Sequence, residues 1–185
     1  MSLLEIHVLG SPILRQETTP VDRMTDELRR LTDRMFDTMH AAKGIGLAAP
    51  QIGRPERLAV IDVDNDPIVI VNPEIIVSEG SAKGEEGCLS IPEIFGDVER
   101  ATRITLRALN RDGEPFEMEA TDLLARCLQH EIDHLHGKLF IDYLSVLKRR
   151  GALAKWGKEK AKYPGFIRRL ETDPTRTHEH PDEEL

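Results

Sequence analysis

The sequence predicts an α+β fold in which small antiparallel or mixed sheets pack around one central helix. Three observations point there. Short β-like runs are separated by prolines and polar residues. Strands and helices do not alternate with the regular spacing of βαβ units. One amphipathic segment carries the run His130-Glu131-Ile132-Asp133-His134 into the expected core. The chain has 185 residues, 39% hydrophobic and 31% charged, which fits one ordinary globular unit with a real core.

Taken in order, residues 1–20 read as irregular, with Pro12 and Pro20. Residues 25–42 read as a helix, because Leu28, Leu31, Met35, Met39 and Ala42 recur at three and four positions. Thr25 or Asp22 is the expected N-cap, and Gly44 is expected to end the helix at positive φ. A glycine-rich loop follows at 44–51. Residues 58–62, 68–72 and 75–78 read as three short strands. Residues 102–109 alternate, with Ile104, Leu106 and Ala108 on one face. Asn110-Arg111-Asp112-Gly113 is a turn, and 116–118 the return strand. A second helix is expected over 122–135, with Thr121 as N-cap and Gly137 at C′. Leu124, Cys127, Leu128, Ile132 and Leu135 form its apolar flank. Residues 148–162 hold seven basic residues against Glu159 and read as a basic helix interrupted by Gly151 and Gly157, with Pro164 as its stop. Beyond about residue 172 the chain is polar and acidic, the composition of a disordered tail. The expected organisation is one main folded unit at 1–150 and an extension, a basic helix and then the acidic tail, at 151–185.

The formal net charge of -8 argues against a general nucleic-acid binder, so no DNA partner is expected. No apolar run approaches the ~20 residues that span a bilayer, and the N-terminal segment lacks a basic n-region. A cytoplasmic protein without membrane contact is expected. The two cysteines, Cys88 and Cys127, do not make a disulfide framework.

His130 and His134 stand four apart on a helix, so both imidazoles share one face and can hold one metal ion. Glu131 between them can move protons for a water that the ion activates. The bland alternative is a polar patch on an exposed helix face. The third ligand decides the class. The metzincin pattern needs a further histidine where Phe140 stands, although Gly137 fits it. His136 faces away on a helix, and Glu159 and Glu171 have no supporting motif. Cys88, flanked by Gly87, would complete a thiolate and two-imidazole set with one open position, unless it is an inert buried thiol. Cys127 reads as a pocket wall or a core residue.

Three separated motifs resemble those of the peptide deformylase family. They are Gly44-Ile45-Gly46-Leu47-Ala48-Ala49-Pro50-Gln51, Glu86-Gly87-Cys88-Leu89-Ser90, and Gln129-His130-Glu131-Ile132-Asp133-His134-Leu135. Their order and spacing match over about residues 4–150. The resemblance implies hydrolysis of the formyl group from the N-terminal methionine of new proteins. It implies Cys88, His130 and His134 as metal ligands and Glu131 as general base and acid. It implies Gln51 and the Leu89 main-chain N–H as oxyanion donors. Gly44, Ile45, Gly46, Glu86, Leu124 and Cys127 are the implied substrate-binding residues. The implied metal is Fe(II), with Zn(II), Ni(II) or Co(II) possible in purified protein. Arg100 is expected to pair with Glu86, and Asp133 to serve as a structural partner of an arginine. Phe95-Gly96-Asp97 departs from the pattern near the peptide-binding edge and bears on downstream substrate preference. The implied partners are N-formylmethionyl nascent peptides, which lie along the site as an extra strand, and the ribosome, through the basic helix. The rival readings are another HExxH metallopeptidase and a non-catalytic metal- or peptide-binding protein on the same scaffold.

Overall fold

A computed structural model describes residues 2–171. In chain order the strands are β1 (Ile6–His7), β2 (Gly46–Ala48), β3 (Leu58–Val63), β4 (Asp66–Glu79), β5 (Ala82–Cys88), β6 (Ile91–Arg100), β7 (Arg103–Leu109), β8 (Pro115–Thr121) and β9 (Ile167–Arg168). The helices are α1 (Asp26–Ala41), α2 (Asp122–Leu135) and α3 (Val146–Glu159). β2-β3-β4-β7-β8 form one antiparallel sheet, and β5-β6 and β1-β9 form two-stranded antiparallel pairs. This is the α+β arrangement expected, with α2 at its centre.

The central strand explains the layering. In β3 every residue but Asp62 is buried. Ala59, Ile61 and Val63 point to a core that contains Leu128, Ile132 and Leu135 of α2. Leu58 and Val60 point the other way, to Leu28, Leu31, Met35 and Met39 of α1. A strand covered on both faces has no reason to alternate, which is why this segment is a continuous apolar run. A third core joins Ile91, Ile94 and Val98 of β6 to Phe140, Leu144 and Trp156, and so seats α3 against the β5-β6 hairpin. Among the described residues no helix is long and apolar enough to cross a membrane.

Several expectations change in detail. Thr25 caps α1 by accepting a hydrogen bond from the Leu28 N–H at 3.2 Å. The positive φ after that helix belongs to Lys43 (59°), not Gly44. Gly44 is needed for close approach instead, since a Cβ there would lie 2.7 Å from Leu89 Cδ1. The two runs 68–72 and 75–78 are one strand, β4, interrupted by a slip of register between Val71 and Glu74. Asn72 sits there at φ 49°, and its side chain exchanges two 2.8 Å hydrogen bonds with the Val21 backbone. Thr121 occupies the N-cap of α2 but makes no side-chain cap bond. Gly137 takes φ 72° after that helix, as expected.

The hairpin β5-β6 was not anticipated, because Gly84-Glu85-Glu86-Gly87 shows neither alternation nor β-propensity. Residues 1–20 also contain β1. Helix α3 runs unbroken through Gly151 and Gly157, against expectation. Tertiary anchoring overrides propensity here: Trp156 is buried, and its indole N–H donates to Leu9 O at 3.1 Å. The acidic tail expected beyond residue 172 lies outside the described residues.

The short helical turn Phe140–Tyr143 follows the metal-binding helix and is held by Asp142. The carboxylate accepts from Leu139 N–H at 3.0 Å and from Arg15 at 2.7 and 3.1 Å. Partial burial pushes this carboxyl up, but the Arg15 and Leu139 hydrogen bonds outweigh it and hold the group below its ordinary value. A depressed folded-state pKa contributes stability above the unfolded value of ~4 that is lost as pH falls further. Asp142→Asn is therefore expected to cost about 1 kcal/mol near neutral pH. The difference from wild type should shrink below about pH 3, as read by denaturant unfolding at both pH values.

Candidate metal centre

Helix α2 brings His130 and His134 one turn apart, with Nε2 atoms 3.2 Å from each other. At the end of β5 the pairing slips between Gly87 and Cys88, and Cys88 Sγ lies 3.4 Å from His134 Nε2. The three ligand atoms all fall within 4.8 Å of one another. A tetrahedral ion with metal–nitrogen bonds of ~2.05 Å and a metal–sulfur bond of ~2.3 Å needs ligand spacings of roughly 3.3 to 3.6 Å. The His130–His134 and Cys88–His134 spacings, 3.2 and 3.4 Å, lie close to that range, and the donor set suits a divalent metal.

Of the two histidines, His130 is oriented from behind, whereas the buried His134 Nδ1 has no hydrogen-bond partner among the described residues. His130 Nδ1 lies 2.8 Å from Glu86 Oε1, so its Nδ1–H donates to the carboxylate and leaves Nε2 free for the ion. Glu86 also accepts from Arg100 Nε and Nη2, both at 2.9 Å, and from Arg126 Nη1 at 2.8 Å. Burial pushes the Glu86 carboxyl up, but the hydrogen bonds from Arg100 and His130 bring it down to about 2. Arg100 reaches Asp133 as well, at 2.6 Å, and Tyr143 donates to the same carboxylate at 2.8 Å. Both partnerships expected of Arg100 and Asp133 are therefore present. Burial opposes protonation of His130, but its contacts with Cys88 and Glu86 raise its pKa well above the ordinary value. An ion at the site competes with that proton. Burial and then the charge of His130 hold His134 well below it.

Glu131 is 4% exposed, and its Oε2 has no hydrogen-bond partner among the described residues. Burial pushes this carboxyl up to about 7; His130 opposes the rise and Glu86 adds to it. Gly46 makes room for it, because a Cβ there would collide with the carboxylate. Gln51 is fixed by Ala48 N–H, which donates to its Oε1 at 2.9 Å. Its Nε2 donates to Ser90 Oγ at 3.0 Å and lies 3.7 Å from Cys88 Sγ.

These groups border a cavity of about 380 Å³. Gly44, Ile45, Gly46, Gln51, Glu86, Cys88, Leu89, Cys127, His130 and Glu131 all line it, and His134 lies buried beneath. The cavity and its metal-ligand cluster can be set beside known proteins. Residues 3–150 match the family model described as polypeptide deformylase.

The chain belongs to the peptide deformylase family.

A peptide deformylase from Alkalilimnicola ehrlichii is 54% identical over 154 residues, covering 81% of this chain and 86% of that protein. One from Hydrogenovibrio crunogenus is 52% identical over 164 residues, covering 87% of this chain and 97% of the relative. The crystal structure of a Legionella pneumophila peptide deformylase superposes with a TM-score of 0.83 at 49% identity, covering 87% of this chain and 97% of that one.

Leu124 does not line the cavity. It packs on the core, and Leu123, 52% exposed, stands at the mouth instead. At about 100° per residue, Leu123, Cys127 and His130 share one face of α2 while Leu124 turns away with Leu128. Counting back four and three from His130 would have found it. Arg126 was also missed. It reaches Val98 O and Ala82 O, each at 2.8 Å, and so ties both hairpin strands to α2. No local motif marks that role. Cys127 is buried, 3.6 Å from Ile45 O, and burial with nearby Glu131 pushes its thiol up, so it stays a protonated wall residue. His136 is 2.6 Å from Glu17, away from the site.

Glu86→Gln removes the charge that orients His130 and leaves two arginines short of their partner. It is expected to weaken metal retention roughly 10- to 100-fold, as measured by competition against a chelator.

Proposed function

We propose that this protein hydrolyses the formamide of N-formylmethionyl peptides, releasing formate and a free α-amine. The observation that carries the reading is the Cys88-His130-His134 cluster opening beside buried Glu131 in one cavity, in a chain about half identical to peptide deformylases. A divalent ion held by these three residues supplies Lewis acidity, making a water more acidic and polarising the formyl carbonyl. Glu131 takes the proton of the attacking water and returns it to the leaving amine. A carboxyl raised to about 7 is suited to both transfers near neutral pH. The Gln51 amide and the Leu89 main-chain N–H donate to the oxyanion as it develops, which favours the transition state over the planar carbonyl. Ile45, Leu123 and Cys127 offer apolar walls for the unbranched methionine side chain.

One thiolate and two imidazoles suit Fe(II), Zn(II), Ni(II) or Co(II). Fe(II) is our reading of the working metal, and oxidation of Cys88 in air is then the expected route of inactivation. We place the reaction in the cytoplasm, on nascent chains. The rival metallopeptidase reading lacks its downstream ligand among the described residues, where the metal-ligand cluster joins Cys88 to the two histidines and includes none of His136, Glu159 and Glu171.

Ribosome docking through α3 and the turn after it rests on fewer unengaged side chains than the seven basic residues of the sequence. Arg149 bonds Ile141 O and Asp142 O, Lys155 bonds Glu93 O, and Lys162 bonds Glu159. Lys148, Arg150, Lys158 and Lys160 have no side-chain partner among the described residues, and they are the cations proposed to meet ribosomal RNA. Changing all four to Gln is expected to weaken ribosome co-sedimentation, and added salt should weaken it in the wild type. Unchanged sedimentation in both cases removes this part of the reading.

The central test is formate release from an N-formylmethionyl peptide by protein loaded with Fe(II) or Ni(II) without oxygen. Fast release is expected, with a loss of at least about 10²-fold in Glu131→Gln. No release from protein shown to hold metal would leave a binding protein as the better account.

A further inference from the structure

The chain beyond the family match returns to the active site. Residues 3–150 carry the match, whereas β9 comes from residues 167–168 and pairs antiparallel with β1, Ile6 opposite Arg168 and His7 opposite Ile167. Three further contacts fix this strand. Val8 N–H donates to Phe166 O at 2.9 Å, Arg169 Nε donates to Glu5 at 2.9 Å, and the Phe166 ring fills the space over Gly10, where a Cβ would collide with it.

The placement delivers one guanidinium to the cavity. Arg168 Nη1 donates to Leu89 O at 3.0 Å, and Arg168 is among the residues that border the cavity. The neighbouring carbonyl, Ser90 O, accepts from Leu9 N–H at 2.9 Å. The two chain ends thus grip consecutive carbonyls of the segment that follows the metal ligand Cys88. On the other side, Ser90 Oγ accepts from Gln51. A loop held at its carbonyls, at Ser90 Oγ and by the Leu89 side chain over Gly44 has little freedom to rotate its peptide planes. Oxyanion stabilisation depends on that rigidity, because a donor contributes most when it needs no reorganisation at the moment of reaction.

We propose that Arg168 is a positioning residue for the deformylation step: by holding the Leu89 carbonyl, which belongs to the peptide plane after the Leu89 N–H, it limits rotation of the backbone at Leu89 and so keeps that N–H directed at the oxyanion. The inference rests on the function proposed above, and on the donor role of Leu89 within it. Arg168 makes no hydrogen bond to the metal ligands or to Glu131 among the described residues; its one side-chain hydrogen bond there is to the loop.

The test compares Arg168→Met with wild type and with Arg169→Met, a control at the exposed residue that follows β9. Formate release from one N-formylmethionyl peptide is measured on metal-loaded enzyme, with metal content and Tm recorded for each protein. Arg168→Met is expected to lower kcat roughly tenfold, a fraction of the ~10²- to 10³-fold lost when an oxyanion donor is removed outright. KM, metal content and Tm should stay at the wild-type values, and Arg169→Met, which loses only an exposed ion pair, should match wild type in kcat and KM. A loss confined to kcat marks an interaction made only in the transition state. Unchanged kcat overturns the proposal. So does a rise in KM alone, which marks ordinary substrate binding, or a loss that tracks metal content or Tm, which marks structural support. Absence of formate release from the wild type defeats the functional reading itself, and is distinct from all of these.

Discussion

The Glu86 carboxylate is the constraint on which the rest of this structure depends. It is almost fully buried and accepts four hydrogen bonds, two from Arg100 and one each from Arg126 and His130. Those donors come from β6 and α2, while the acceptor sits on β5. The hairpin and the metal-binding helix therefore meet through one charged group. A buried ion pair adds little net stability against apolar residues of the same volume, but removing one partner typically costs about 3–5 kcal/mol. What the cluster supplies here is geometry: it fixes the His130 tautomer and holds the Cys88 hairpin against the helix that carries the other two ligands.

Around that cluster the molecule is organised to bring backbone close to the site. The main sheet is covered on one face by α1 and on the other by α2, so the helix rests on a rigid layer. Gly46 at its edge is bare because the Glu131 carboxylate occupies the space of a side chain, and Gly44 because Leu89 does. Burial raises Glu131 toward neutrality, and the missing side chains of Gly44 and Gly46 let Leu89 and the Glu131 carboxylate close in on the site. A structural packing requirement and a catalytic requirement are met by the same pair of glycines.

The reach of sequence reasoning tracked the range of the interactions. Helix α2 was legible with its bounds at Asp122 and Leu135, because periodicity, an apolar flank and Gly137 all act within a few residues. The pairing of Ile104, Leu106 and Ala108 on one buried face was legible for the same reason. Hairpin β5-β6 was not, since its stability comes from Arg126, Arg100 and the third core rather than from local propensity. Leu124 and Leu123 are both apolar neighbours on one helix, and only the direction of the cavity separates them.

The chemistry of this protein was written in its sequence: the donor types, the spacing of His130 and His134, the carboxylate between them and the glycine-rich and cysteine motifs that mark the family. Such features survive in one dimension because a helix turn or a tight loop sets their relative positions locally. Tertiary structure alone decided that Glu86 is shared by two arginines and a ligand, and that Arg168 arrives beside Leu89 from a distant part of the chain. Those contacts span 14 to 79 positions, and they exist only because the packed layers on either side of the sheet leave each group one place to go.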